Sequence, residues 1–274
     1  MLRTLVVVVM AACAHPTPPC EPATGPQGPP FLWRVEKGHT TVWLFGTIHN
    51  AGRAEIPPAA LAALASAKHF ASELGDVEPD KEKLHDLAAI PSGPGLDQLL
   101  PPDDWYDLRD ALRGVIKEDA LRRVRPWYAM SLLTAAASRP PGQTMDAVLA
   151  ERAEAARLRV DHLESWEEQM GALVDGVAIR DVQETLHLRK TIACSLDRLR
   201  AIYLLGDTAE MTRLLVVHPD GPLLAARNAR WLPQLEAYLA GDGAFVAVGL
   251  GHLLGEGGIV ATLQTAGYSV ERAR

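Results

Sequence analysis

Residues 244–252 read AFVAVGLGH, a continuous apolar run that leads into a glycine-rich turn and ends on a histidine. An apolar run without polar alternation, followed by such a turn, is typical of a strand buried on both faces of a parallel sheet. Residues 42–49 read VWLFGTIH and follow the same order. Glycine permits a tight turn, so the histidine of each Gly-x-x-His motif can be placed over the edge of the sheet.

The remaining strand signals lie mostly toward the two ends of the chain. Apolar or alternating runs predict a β-hairpin and three further strands, at residues 31–36, 41–45, 69–74, 159–163 and 268–272. The middle is mostly helical, with one helix capped by Asp103 and running to about Ile116, and another capped by Thr144. We therefore predict an α/β (or α+β) protein, with a central mixed, largely parallel sheet flanked by helices and a large helical middle section.

The composition excludes several classes of function. The chain has 274 residues, 48% of them hydrophobic, and a formal net charge of −7. Its one concentrated basic run, residues 122–125, is short. Since nucleic-acid binding requires a concentrated positive surface, we expect no nucleic-acid partner. The sequence also lacks the H-E-x-x-H, P-loop and G-x-S-x-G motifs, which argues against the enzyme classes that depend on them.

The first thirty residues have the composition of an export segment. Residues 1–13 combine one arginine, an apolar run and two alanines before Cys13, which is typical of a secretion signal. Small residues before a cysteine also resemble a bacterial lipobox, in which Cys13 is lipidated; an ordinary cleaved signal peptide is the alternative. Residues 14–30 are rich in proline and glycine and predict a linker to a domain at residues 31–274. We expect an exported protein, anchored by lipid to a bacterial membrane and facing the periplasm or the exterior.

The chain contains three cysteines, Cys13, Cys20 and Cys194. If Cys13 carries a lipid, Cys20 and Cys194 remain and can form a disulfide in an oxidising compartment. Two free thiols are the alternative. No pair of cysteines has the spacing of a metal site.

Four polar residues fall where predicted strands end, and they are His49, Glu73, Glu164 and His252. In sheets of parallel strands, sites form at the carboxyl ends of the strands, which predicts one shared site. Two histidines and a carboxylate are sufficient to bind a catalytic divalent metal with an open water position. The alternatives are a structural role for each histidine and a salt bridge to an arginine for each glutamate.

A longer set of motifs runs in order through residues 31–272: Val42–His49, Ala71–Leu74, Arg125–Trp127, Thr144–Asp146, Leu163–Ser165 with Gln169, Leu205–Asp207, Arg227-Asn228 and Phe245–Gly258. In these motifs the chain resembles the TraB/GumN family. That family is similar to the Tiki metalloproteases and, more remotely, to erythromycin esterases and a haem-binding lipoprotein family.

The resemblance implies a site that contains His49, His252 and Glu73. The resemblance also places Glu164 and the Arg227-Asn228 pair in this site. Without the resemblance, Arg227-Asn228 would be interpreted as the exposed polar face of a helix. We therefore predict a metal-dependent hydrolase, with a peptide or protein as substrate. The histidines would bind Mn²⁺, Co²⁺ or Zn²⁺, and Glu73 would complete the ligands or act as general base. Arg227 would stabilise the oxyanion of the tetrahedral intermediate that forms during hydrolysis.

Two alternatives use the same residues. One is a non-catalytic lipoprotein that binds haem or metal at the histidines, for which haem would need an axial histidine in a large apolar pocket. The other is a metal-independent esterase with histidine as its base, whose activity would survive chelation.

Overall fold

The structure is a computed structural model that describes residues 23–75, 81–138, 142–216 and 218–273. The described residues fall into two compact units. The helical unit comprises those within Val77–Arg139 and Trp166–Leu196, and the sheet unit comprises those within Pro22–Asp76, Pro140–Ser165 and Asp197–Arg274. The predicted signal peptide, with Cys13, and Cys20 lie outside the described residues.

These ranges contain six strands, thirteen α-helices and two short 3-10 helices. The strands are β1 (Leu32–Lys37), β2 (Thr40–Thr47), β3 (His69–Ser72), β4 (Arg159–His162), β5 (Ala244–Gly249) and β6 (Ser269–Arg272). The helices are α1 (Pro58–Ser66), α2 (Lys81–Ala88), α3 (Leu96–Leu99), α4 (Pro102–Ala111), α5 (Glu118–Arg122), α6 (Pro126–Ala137), α7 (Met145–Ala155), α8 (Trp166–Gly176), α9 (Ile179–His187), α10 (Ile192–Leu205), α11 (Thr208–Leu215), α12 (Ala225–Ala240) and α13 (Ile259–Thr265). The 3-10 helices are Arg53–Glu55 and Leu250–His252.

The six strands form one mixed sheet in the order β4-β3-β5-β2-β1-β6. The strands β4, β3, β5 and β2 pair in parallel, whereas β1 pairs antiparallel with both β2 and β6. The apolar residues of β5 are buried along its length, which explains why its sequence shows no polar alternation. The turn between β1 and β2 contains Gly38 at φ 61°, a conformation that favours glycine. The predicted largely parallel sheet and its hairpin are therefore confirmed.

Two helices of the sheet unit pack against most of the sheet. Helix α7 contacts β3, β4 and β5, and α12 contacts β1 and β2. The predicted cap of α7 is confirmed, because the N–H of Ala147 donates to the hydroxyl of Thr144 at 3.3 Å. Helix α12 buries Arg227 and Asn228 together with Trp231. The polar pair therefore lies on a buried part of this helix.

The helical unit has a core of its own. Buried residues of α3–α6 and α9 and of the segments beside them form one apolar cluster: Leu96, Leu100, Trp105, Leu108, Leu112, Leu121, Val124, Ala129, Leu132, Leu133, Val182 and Leu186. Helices α6 and α9 pack against each other in this unit. Much of the helical middle section predicted from the sequence corresponds to this unit.

Helix α4 differs from its predicted form at both ends. It begins at Pro102 with Pro101 as its N-cap, rather than with Asp103 as the cap. Proline is tolerated in the first turn because the N–H groups there have no partner within the helix. The helix ends at Ala111 and does not reach Ile116, since the chain turns away through Gly114 at φ 85°.

The last residues of the predicted linker are held on the sheet unit. The N–H of Gly28 donates to the carbonyl of Leu205 at 2.7 Å. The guanidinium of Arg272 donates to the carbonyls of Pro29 and Pro30, at 2.6 and 2.9 Å. Residues 28–30 therefore belong to the surface of the sheet unit.

Cys194 is disulfide-bonded. Both other cysteines lie outside the described residues, so its pairing with Cys20 stays a prediction. Among the residues that the structure describes, no helix is long and apolar enough to cross a membrane.

Candidate functional site

Four parallel strands bring their carboxyl ends to one edge of the sheet. Glu73 directly follows β3, and His252 ends the short 3-10 helix that follows β5. His49 and Glu164 lie just beyond the ends of β2 and β4. Because these strands are consecutive neighbours in the sheet, all four side chains belong to the same edge. The structure thus places each residue at a strand end, as the sequence predicts.

The glycine that opens each Gly-x-x-His motif has a close neighbour. A Cβ on Gly46 would lie 2.5 Å from Cδ1 of Leu250, and one on Gly249 would lie 3.1 Å from Oε1 of Glu73. The N–H of Gly249 instead donates to that oxygen at 2.5 Å. The hydroxyl of Tyr203 donates to the carbonyl of Gly46 at 2.7 Å. Glycine therefore lets the two turns approach each other and lets Glu73 accept a backbone hydrogen bond.

His252 is buried, and Asn228 fixes its tautomer. Oδ1 of Asn228 lies 2.7 Å from Nδ1 of His252, while Nδ2 of Asn228 donates to the carbonyls of His252 and Gly257 at 3.3 and 3.2 Å. Because the amide nitrogen faces two carbonyls, the amide oxygen faces the imidazole and accepts its proton from Nδ1. Nε2 of His252 is left with a lone pair.

Arg227 occupies the centre of the site and is only 7% exposed. Its Nη2 donates to Glu73 at 2.8 Å, and its Nε and Nη2 donate to Glu164 at 2.9 and 2.5 Å. Its Nη1 lies 2.9 Å from Nε2 of His252 and donates to the lone pair there. The ring of Trp231 lies 4.8 Å from the guanidinium carbon and 4.4 Å from the imidazole ring. One cation therefore links two carboxylates and a histidine.

Burial and the charge of Arg227 determine the protonation states. Burial alone would raise the pKa of Glu73, but Arg227 and the N–H of Gly249 lower that pKa to about 2. Burial raises the pKa of Glu164, against the effect of Arg227. Burial lowers the pKa of His252 to about 3, because it outweighs the opposing effect of Glu73, and the charge of Arg227 adds a smaller lowering. At neutral pH Glu73 is ionised and His252 is neutral, the form in which histidine binds a metal or accepts a proton.

His49 is the more exposed histidine, with 42% of its side chain accessible, and it faces Asp146. Its Nδ1 lies 3.9 Å from Oδ2 of Asp146, whose Oδ1 accepts a hydrogen bond from the hydroxyl of Thr47 at 2.8 Å. Burial raises the pKa of Asp146, against the lowering effects of His49 and of the hydrogen bond from Thr47. The charge of His49 affects the pKa values of Glu73 and His252, so His49 lies within electrostatic range of both.

The structure joins most of the predicted site residues by direct contacts: His252, Glu73, Arg227, Glu164 and Asn228. The salt bridge considered for each glutamate is present, with Arg227 as the partner of both. The alternative interpretation of Arg227-Asn228 as an exposed polar face is wrong, because both side chains are buried against the sheet edge.

Two residues of the site were not identified from the sequence, Asp146 and Trp231. Trp231 follows Arg227 by four residues on a helix, a spacing that places two side chains on the same face, and this signal was available. Asp146 closes the Thr144–Asp146 motif, which is a signal for the residue itself, but its sequence position does not indicate His49 as its neighbour.

The donor chemistry at this edge fits a divalent metal. Imidazole nitrogen and carboxylate oxygen are ligands for Mn²⁺, Co²⁺ and Zn²⁺. Nε2 of His252 and Oε1 of Glu73 lie 3.8 Å apart, and the buried Oδ2 of Asp146 has no hydrogen-bond partner among the described residues. Metal binding at Nε2 would replace the hydrogen bond from Arg227. Within the described ranges, no three His, Cys, Asp or Glu side chains are already grouped so as to hold an ion.

Comparison with known proteins places the chain in a family. The model of the TraB/PrgY/gumN family matches residues 31–272, a range that includes both Gly-x-x-His motifs and all the residues of the site. No curated protein and no solved structure matches the sequence. Since the matched range covers nearly the whole chain, the protein belongs to the TraB/PrgY/gumN family.

Proposed function

We propose that the protein is a hydrolase that depends on a divalent metal ion and cleaves peptide bonds in a peptide or protein substrate. The observation that carries this proposal is the state of His252. It is buried, neutral and held with its proton on Nδ1, and its Nε2 lies 3.8 Å from ionised Glu73. A histidine fixed through Nδ1, with Nε2 beside a carboxylate, is typical of a metal ligand.

His49, His252 and Glu73 are the residues that would hold the ion, which we propose to be Mn²⁺, Co²⁺ or Zn²⁺. When bound, such an ion supplies an acidified water molecule and polarises the substrate carbonyl. Asn228 keeps the proton of His252 on Nδ1 and so keeps Nε2 available.

Arg227 and Glu164 support the reaction next to these ligands. Glu164, whose side chain is 0% exposed, accepts from two nitrogens of Arg227 and fixes the orientation of the guanidinium. Once Nη1 is released from His252, it can donate to the oxyanion that forms on the substrate carbonyl. Loss of one well-placed oxyanion donor typically lowers kcat by about 10²–10³.

Hydrolysis of a peptide library by the wild-type protein and two histidine variants tests the proposal. EDTA should abolish cleavage and Mn²⁺, Co²⁺ or Zn²⁺ should restore it, while His252→Ala should remain inactive in every metal. The matched control is His85→Ala, since the side chain of His85 is 82% exposed on α2 of the other unit. Cleavage at the wild-type rate by folded His252→Ala would refute the proposal. A visible absorption band on titration with haem, lost in the same variant, would support haem binding instead.

A metal-independent esterase is the second candidate, and the contact between Arg227 and His252 favours it. Arg227 already places a cation 2.9 Å from Nε2, where the proposed ion would sit, and Nε2 would act as a general base once that hydrogen bond is released. Esterase activity that survives EDTA but is lost in His252→Ala would support this candidate over the first.

We also propose that the protein is exported and anchored by lipid at Cys13. The support is the sequence of residues 1–13, where an apolar run and small residues precede the cysteine. Mass spectrometry of the mature N-terminus tests this, with Cys13→Ser as the comparison. An unmodified N-terminus at any other residue would refute the lipid anchor.

A further inference from the structure

A carboxylate outside the proposed ligand set lies beside His49. Asp146 is the second residue of α7, and its Oδ2 is 3.9 Å from Nδ1 of His49. We infer that Asp146 is a positioning residue, which holds His49 with its proton on Nδ1 and thereby leaves the lone pair on Nε2. The consequence for hydrolysis rests on the proposed function, whereas the state of His49 can be measured without it.

The carboxylate of Asp146 is fixed before it meets His49. Thr47, which is 1% exposed at the end of β2, donates its hydroxyl to Oδ1 at 2.8 Å. Asp146 also lies in the first turn of α7, two residues after the cap Thr144, where the helix dipole favours a negative charge. A strand end and a helix start therefore hold the carboxylate together, so its orientation does not depend on His49.

The second oxygen of this carboxylate needs a donor. Oδ2 of Asp146 is buried and makes no hydrogen bond with any residue that the structure describes, which is unfavourable for a carboxylate oxygen. The facing nitrogen is Nδ1 of His49, and its distance of 3.9 Å exceeds a hydrogen bond by about 1 Å. A small rotation of the half-exposed imidazole, or one bridging water, would supply the missing donor.

The two Gly-x-x-His motifs then share one arrangement. Nδ1 of His252 donates to the side-chain oxygen of Asn228 at 2.7 Å, and Nδ1 of His49 faces the side-chain oxygen of Asp146. Each histidine comes from a strand end, and each oxygen comes from a helix that packs on the sheet. In both cases an oxygen acceptor on Nδ1 leaves Nε2 with the lone pair, which is the usual outer support of a metal-binding histidine.

Nitrogen NMR of the full-length, metal-free protein tests the inference. In protein labelled with ¹⁵N-histidine, two-bond ¹H–¹⁵N spectra above pH 8 distinguish the two neutral tautomers, and His49→Ala identifies the signals of His49. We expect the Nδ1–H tautomer in the wild type and the Nε2–H tautomer in Asp146→Ala. In Asp146→Asn, an amide oxygen that stays with the hydroxyl of Thr47 turns the NH₂ group toward Nδ1 of His49, so this variant should also show the Nε2–H tautomer.

A matched control exists in the same unit. Oδ2 of Asp161 lies 3.9 Å from Nδ1 of His69, the same separation as in the proposed pair. Asp161→Ala should therefore leave the signals of His49 unchanged. If Asp146→Ala does not fold, Thr47→Val is used in its place, because this variant removes the hydrogen bond that fixes the carboxylate of Asp146. A mixture of His49 tautomers in Thr47→Val would then support the inference.

An unchanged Nδ1–H tautomer of His49 in folded Asp146→Ala or Thr47→Val would overturn the inference. In titrations with Mn²⁺ alone, Asp146→Ala should bind about 10–100-fold more weakly than the wild type, as is typical when the outer partner of a ligand histidine is removed. A wild-type protein that binds no Mn²⁺ would count against the proposed function, and the tautomer of His49 would still decide this inference.

Discussion

Replacing Arg227 with alanine is expected to lower the free energy of unfolding by about 3–5 kcal/mol, the typical cost of removing one partner from a buried ion pair. The magnitude follows from the burial of the groups left behind. The side chain of Glu164 is 0% exposed and that of Glu73 is 16% exposed, and both lose their shared cation. Loss of the contact with the ring of Trp231 adds to the effect.

The loss of unfolding free energy in Arg227→Ala should depend on pH. Without the cation, burial raises the folded-state pKa of Glu164 and Glu73 above their unfolded values. Carboxyls with a raised folded pKa stabilise the fold only below the unfolded pKa, and this contribution is lost as the pH rises. The difference in unfolding free energy between the wild type and Arg227→Ala should therefore be largest near pH 7 and should become smaller toward pH 4.5. Adding Glu164→Gln to Arg227→Ala should recover part of the loss at neutral pH, because it removes one buried charge.

Urea denaturation followed by far-UV circular dichroism measures this effect at a series of pH values. The matched control is Arg230→Ala on the same helix, since Arg230 is 42% exposed and lies 3.8 Å from Glu164. Because Arg230 is partly exposed and lies farther from the carboxylate, its removal should cost much less than that of Arg227. If Arg227→Ala were no less stable than Arg230→Ala, the buried ion pairs of Arg227 would not stabilise the fold as predicted.

Three further perturbations test the geometry of the site. His252, with a folded pKa of about 3 against the usual 6.5, favours the fold above pH 6.5, and this contribution is lost as the pH falls toward 3; ring NMR signals that titrate near pH 6.5 in the folded protein would contradict this. Gly46→Ala places a Cβ 2.5 Å from Leu250 and should cost about 1–3 kcal/mol in urea denaturation. Gly171→Ala, on α8 with open space around it, is the control and should be neutral or stabilising. Asn228→Ala leaves Nδ1 of His252 and two carbonyls without a partner and should cost about 1–3 kcal/mol, with a mixture of His252 tautomers by NMR; the wild-type tautomer in that variant would refute the proposed role of Asn228.

The sheet and its edge could be predicted because local sequence carries their signals. The continuous apolar run of β5 and the glycines that follow it indicate a buried parallel strand and a tight turn. When β2 is interpreted in the same way, the carboxyl-end rule predicts that His49 and His252 belong to the same edge of the sheet, without any knowledge of the strand order. The residues nearest to strand ends were therefore the easiest to predict.

The partners of those residues depend on packing that local sequence does not encode. Arg227 stands among alanines and leucines on α12, and only the position of that helix against the sheet shows that the charge is buried. Asp146 meets His49 because α7 begins beside the end of β2, at a separation of 97 residues along the chain from His49 to Asp146. The early end of α4 results from the positive φ of Gly114, which hydrophobic spacing alone did not reveal.

The most direct test of the proposed metal site compares the metal content of the purified wild-type protein with that of His49→Ala and His252→Ala. Each protein is incubated with Mn²⁺, Co²⁺ and Zn²⁺ and freed of unbound ions. The bound metal is then measured by inductively coupled plasma mass spectrometry. We predict close to one ion per wild-type chain and loss of that ion in both folded variants. A wild-type protein without metal, or variants that retain it at the wild-type level, would contradict the site formed by His49, His252 and Glu73.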